Sequence, residues 1–148
     1  KARVANNASG MVSLGDDSGL IVPALNNLPG LRSARYAHEN ATDEANRQYL
    51  RKELEALDLN QTKAYIVCVL VLVQASADPF PLIATGLLEG SVKTTMQGAN
   101  GFGYDPMFYP KDSNTSLGEM NAEQKALLSH RGKAIQVLKR KIQGFASE

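Results

Sequence analysis

The chain has 148 residues, 43% of them hydrophobic and 21% charged. That composition supports a folded core of ordinary size and excludes an extended disordered chain. Sixteen Lys and Arg against fifteen Asp and Glu leave a net charge of +1, which lacks the concentrated basic footprint of a nucleic-acid or membrane-surface protein.

The opening stretch KARVANNASG reads as a helix that ends near Gly10, because Asn and Gly favour helix C-termini. It begins at Lys1 without a Met and has the texture of the interior of a longer protein. MVSLGDD predicts a short strand leading into an acidic corner at Asp16 and Asp17, and NNLPG a turn. ATDEANRQYLRKELEALD predicts a helix, with Thr42 as N-cap, Asp43 and Glu44 in the first turn, and Leu50, Leu54 and Leu57 at helical spacing. KAYIVCVLVLVQA predicts a strand that is apolar at successive positions and so covered on both faces. Its nine-residue apolar run is too short to span a bilayer. Within it lies Cys68, the single cysteine, read as a buried, inert thiol that forms no intrachain disulfide and is compatible with a reducing compartment.

After an ADPFP turn, PLIATGLLEGSV predicts a second strand, paired with the first as an antiparallel hairpin. MQGANGFGYDPMFYP is a glycine-rich loop. NAEQKALLSHRGKAIQVLKRKIQGF is helical in two pieces, the first capped by Asn121 with Gln124 in a capping box, the second by Ser129. The Lys139-Arg140-Lys141 run reads as a solvated helix face. With no repeat, linker or low-complexity tract, the chain reads as one α/β or α+β domain.

Four polar clusters could carry chemistry: Asp16-Asp17-Ser18-Gly19, Ser33-Ala34-Arg35-Tyr36, Gly101-Phe102-Gly103-Tyr104-Asp105-Pro106, and Ser129-His130-Arg131-Gly132. Each has a plain alternative. The first suits a turn, the third a tight loop with core aromatics, the fourth a solvated helix corner, and His38 a surface loop. Together they outline a nucleotide site. Carboxylates beside Ser-Gly suit a hard cation such as Mg²⁺, which works with substrate phosphates. Lys125 and Arg131 could neutralise phosphates or fix a carbonyl oxygen, and the helix start after Ser129 offers N–H groups. Phe102 could stack on a planar base, and the flanking glycines would let backbone amides approach the base edge.

DDSGL, PGLRSARYA, GFGYDPMF and SHRGKA, in this order and spacing, resemble the inosine triphosphate pyrophosphatase family, and the likeness extends from residue 1 to about residue 142. The resemblance implies an elongated mixed β-sheet flanked by helices, in two lobes with a central cleft. It implies cleavage of deaminated purine nucleoside triphosphates (ITP, dITP, XTP) to the monophosphate and pyrophosphate, with Mg²⁺ as cofactor. It assigns Asp17 as catalytic base or metal ligand, and Ser18, Phe102, Gly103, Tyr104, Asp105, Lys125, His130 and Arg131 as substrate-binding. Asp16 is expected to be structural. A cytoplasmic homodimer without nucleic-acid or membrane partners is implied as well. A site of donors would favour the 6-carbonyl of hypoxanthine or xanthine over the 6-amino group of adenine, since opposed or unpaired buried groups cost about 1–3 kcal/mol each. Two smaller departures are Pro23, where members often carry Asp, and His38, where they often carry Gly. The family's opening strand, its phosphate loop with a Lys, and its acidic metal-binding segment have no counterpart in this sequence. The expectation is therefore one family domain over residues 1–148, truncated at its N-terminal side. The rival expectation is a catalytically impaired nucleotide-binding or dimerisation remnant.

Overall fold

A computed structural model of the chain describes residues 1–145. Local signals set the helices. α1 spans Ala2–Ser9 and stops at Gly10, whose φ of 68° is left-handed and whose N–H donates to Asn6 O. α2 spans Asp43–Glu55, and the Thr42 side chain accepts from Ala45 N at its start. α3 spans Ala122–Leu128 behind the capping box: Gln124 N donates to Asn121 Oδ1, and Asn121 N to Gln124 Oε1. α4 spans His130–Phe145, with Ser129 Oγ accepting from Gly132 N.

The strands are β1 (Ser13–Val22), β2 (Leu28–Pro29), β3 (Gln61–Val73), β4 (Leu82–Lys93) and β5 (Phe108–Pro110). They form one five-stranded sheet in the order β2-β1-β3-β4-β5, so β3 and β4 are neighbours, as the hairpin expectation requires. β1 and β2 run antiparallel with Ile21 opposite Pro29, and β4 and β5 antiparallel with Gly90 opposite Pro110.

Four expectations change. Asp16-Asp17-Ser18-Gly19 is not a corner but the middle of the ten-residue β1; strand pairing overrides the turn preference of these residue types. β3 is not covered on both faces. Ala64, Ile66, Cys68 and Leu70 are buried, whereas Val69, between the last two, is 37% exposed, so the strand obeys the pleat despite its uniform apolarity. Leu57 lies beyond the end of α2 and is exposed. The NNLPG segment is more than a turn: Asn26 and Asn27 are left-handed, and Leu28–Pro29 follows as a short strand.

The fold divides into two compact units. The first comprises Lys1–Ser18, Val67–Leu87 and the chain from Ser129. Its core joins Cys68, Leu70 and Ala84 to Ala134 and Leu138 of α4. The α4 backbone lies directly on β4, because a Cβ at Gly86 would stand 1.9 Å from His130 O. In β1, Gly15 is buried against α1, where a Cβ would meet Ala2 N at 2.9 Å. Asp16, on the opposite face, meets Arg131 of α4. The period-two pleat therefore sends neighbouring residues to different helices.

The second unit comprises Gly19–Ile66 and Leu88–Leu128. Its core packs Leu50 and Leu54 of α2 with Leu20, Val22, Ile66, Val92 and Phe108. Asn46 is also buried, with its amide accepting from Ala37 N at 2.9 Å and donating to Ala34 O at 3.1 Å, and so holds the Gly30–Arg35 3₁₀ turn to α2. Leu54 has no exposure, and Leu54→Ala leaves a cavity. The expected loss is about 2–5 kcal/mol of stability, read as a lower urea midpoint with unchanged slope.

Candidate functional site

In the first unit the polar groups gather around β1 and the start of α4. Arg131 Nε donates to Asp16 Oδ2 at 2.8 Å and its Nη2 to Asp16 Oδ1 at 3.4 Å, a forked pair. The same Nη2 stands 3.5 Å from Ser18 Oγ. Cys68 Sγ lies 3.7 Å from Asp16 Oδ1. The hydrogen bond from Arg131 holds the Asp16 carboxyl below the usual carboxylate range, against the opposing effect of partial burial. Burial pushes the Cys68 thiol up, so it stays protonated at neutral pH, the inert state expected of it. Asp17 faces the other way and is largely exposed, with Lys1 Nζ 2.8 Å from its Oδ1. His130 is buried at the first position of α4.

In the second unit the glycine-rich loop is built around one carboxylate. Asp105 is 6% exposed. Its Oδ2 accepts from Phe102 N at 3.0 Å and from Lys125 Nζ. Gly101 has a φ of 86°, and a Cβ there would stand 2.1 Å from Asp105 Oδ2 and 2.3 Å from Lys125 Nζ, so both backbone angle and space demand glycine. The Phe102 ring is 58% exposed, with Lys125 Nζ 5.8 Å from its centroid, within cation–π range. Gly103 N donates to Asp43 Oδ2 at 2.7 Å, and Gly103 O accepts from Arg47 Nη1 at 2.6 Å. Tyr104 is buried, and its hydroxyl donates to Ser33 O at 2.8 Å; burial raises its pKa strongly, so it stays neutral.

Of the residues singled out from sequence, Ser18 and Arg131 come together with Asp16, and Phe102, Gly103, Asp105 and Lys125 form one cradle. Asp17 stands apart from the Asp16–Arg131 pair on the opposite face of β1, and Tyr104 is a core side chain whose one polar atom is engaged. His38 is exposed, as a surface loop residue should be. Sequence reasoning missed Asp43 and Arg47 as partners of the loop, and Cys68 as a neighbour of Asp16. Asp43 carried a visible signal as a first-turn acid, but nothing local pointed it to a residue sixty positions away. Among the described residues no three His, Cys, Asp or Glu side chains gather as a metal site, and no helix is long and apolar enough to cross a membrane.

Residues 1–141 match the Ham1 family. The chain belongs to this family. It is 44% identical over 139 residues to the dITP/XTP pyrophosphatase of Legionella pneumophila (strain Paris), an alignment covering 94% of this chain and 72% of that protein. It is 46% identical over 138 residues to the dITP/XTP pyrophosphatase of Idiomarina loihiensis, covering 93% and 68% respectively. The structure of a Ham1 protein from Coxiella burnetii superposes with a TM-score of 0.90 at 40% identity, covering 97% of this chain and 73% of that one. The family and the mixed α/β fold expected from the four motifs are therefore both established.

The Asp16–Arg131 pair makes a pH prediction. A carboxyl whose folded pKa is lowered stabilises the fold above its unfolded pKa of about 3.9, and that stability is lost as pH falls through the lower folded value. Asp16→Asn should therefore flatten the acid limb of the stability profile, seen as a smaller drop in Tm between about pH 5 and pH 2 than in the parent chain. An unchanged limb would show that the pair contributes nothing to acid stability.

Proposed function

We propose that this chain hydrolyses dITP, XTP and ITP between the α and β phosphates, releasing the nucleoside monophosphate and pyrophosphate. The observation that carries the proposal is identity of 44% and 46%, over more than nine-tenths of the chain, with proteins named dITP/XTP pyrophosphatase. Coarser support comes from the Ham1 family match across residues 1–141.

The residues suit the chemistry. The exposed Phe102 ring offers a flat apolar face to a purine. Gly101 and Gly103 open the backbone beside it, and the Asp105–Lys125 pair keeps that backbone in place. Arg131, forked onto Asp16, is an oriented cation suited to a carbonyl or phosphate oxygen. Ser18 adds a hydroxyl and His130 a ring at the same helix start. In this reading Gly103, Tyr104 and Asp105 act chiefly through the shape of the loop. Asp17, exposed on β1, is the carboxylate able to accept a proton from an attacking water within hydrogen-bond reach.

Mg²⁺ belongs to the same proposal. The exposed Asp17 carboxylate is the residue that would hold it, a hard oxygen donor of the kind Mg²⁺ prefers alongside substrate phosphates. When bound, Mg²⁺ would offset phosphate charge and acidify the attacking water. Arg131 and Lys125 would still orient and neutralise the substrate, and Asp17 would still face the water. A cytoplasmic homodimer completes the reading.

The test is direct. Purified chain is incubated with dITP, XTP, ITP and dATP, with and without Mg²⁺, and pyrophosphate is assayed. The expected result is a preference of roughly a hundredfold for the deaminated substrates, lost on chelation. Asp17→Asn should lower kcat by about 10²-fold or more. Equal rates on all four nucleotides would overturn the substrate assignment, and nucleotide binding without pyrophosphate release would favour the impaired remnant.

A further inference from the structure

Gly103 is gripped at both polar atoms of its backbone by one helix. Its N–H donates to Asp43 Oδ2 at 2.7 Å and its C=O accepts from Arg47 Nη1 at 2.6 Å. Asp43 and Arg47 are four residues apart, on one face of α2. Arg47 is itself oriented: its Nη2 and Nε donate to Glu44 Oε2 at 2.8 and 3.3 Å, and Gln48 Nε2 donates to Glu44 Oε1 at 2.6 Å. On the preceding side, Asp105 Oδ2 accepts from Phe102 N. The peptide groups on both sides of Phe102 are thus held by side chains. So is the one after Gly103, a residue whose φ of 59° is left-handed.

What this arrangement secures is an exposed ring. A Phe that anchored the loop to the core would be buried, and burial would repay its ordering. Here Phe102 is 58% exposed, so this chain recovers little from fixing it. Arg47, with only 16% of its side chain exposed, has been taken from water and immobilised to do so. Such ordering is recovered when a second flat apolar surface covers the ring, because the entropy of placing it is no longer lost at the moment of binding. We propose that Asp43 and Arg47 are positioning residues that preset the Phe102 ring for the base of the nucleotide. This rests on the reading of the loop as the base-binding element.

The clamp acts on the base and not on the phosphates, which supplies a readout that a general structural role would not move. Arg47→Met removes the donor to Gly103 O, and Asp43→Ala removes the acceptor for Gly103 N. Each should raise KM for dITP by about tenfold with kcat little changed, the loss expected for one charge-assisted hydrogen bond. Each should also lower the dITP-to-dATP ratio of kcat/KM. Inorganic tripolyphosphate, which has no base, should inhibit the variants with the same constant as the parent chain. Asp43→Asn, which keeps an acceptor oxygen, should recover most of the lost KM. Should Arg47→Met unfold the chain, Asp43→Ala and Asp43→Asn give the same comparison alone.

An unchanged KM and substrate ratio in the variants would overturn the proposal. So would a tripolyphosphate constant that moves in step with KM. Absence of dITP cleavage by the parent chain would instead remove the underlying reading of function, so the two failures appear in different proteins.

Discussion

The buried carboxylate of Asp105 is the interaction on which the glycine-rich loop depends. A charged group this far from water costs several kcal/mol unless it is paired and hydrogen-bonded. Asp105 has the Lys125 ammonium and the Phe102 N–H, both on its Oδ2. Its own backbone is engaged too, with N donating to Phe102 O and O accepting from Gly118 N. The carboxylate, the cation and the closed turn therefore form or fail together. Removing one charge would leave the other buried and unpaired, which is the expensive way to lose an ion pair, at about 3–5 kcal/mol. The exposed Phe102 ring, the left-handed Gly101 and the reach of Gly103 to α2 all follow from this closed turn.

A second constraint is the pleat of β1. Two aspartates adjacent in sequence point to opposite faces of a strand and so meet different surroundings. Asp16 falls under the Arg131 guanidinium, whose hydrogen bond lowers the carboxyl's pKa. Asp17 is left exposed beside the ammonium of Lys1. One carboxylate thereby orients a cation while its neighbour stays accessible to water, a division of labour set by environment and not by residue type.

The loop and the α4 start use different physics for related ends. Around Gly103, rigidity comes from side chains of α2 that hold backbone atoms beside the exposed Phe102 ring. At the α4 start, rigidity comes from Asp16 holding the Arg131 guanidinium directly. In both, the groups facing solvent are ordered by partners drawn from elsewhere in the same compact unit, so each unit carries a preformed surface.

Whatever depends on a few neighbouring residues was readable from the order of amino acids alone. The helix stop at Gly10, the cap at Thr42, the Asn121–Gln124 capping box and the cap at Ser129 were all legible, because each bond closes within three or four residues. The family was legible too, through four motifs in order. Tertiary structure alone decided that Asp16 and Asp17 lie within a strand, since ladder partners far along the chain outweigh local turn preference. It alone decided which face of the uniformly apolar β3 is covered, because an apolar run carries no phase. It alone joined Asp43 and Arg47 to Gly103, and Cys68 to Asp16, across separations of more than fifty residues. A side chain's chemistry is written at its own position, but the partner that gives it a task is set by how distant segments pack.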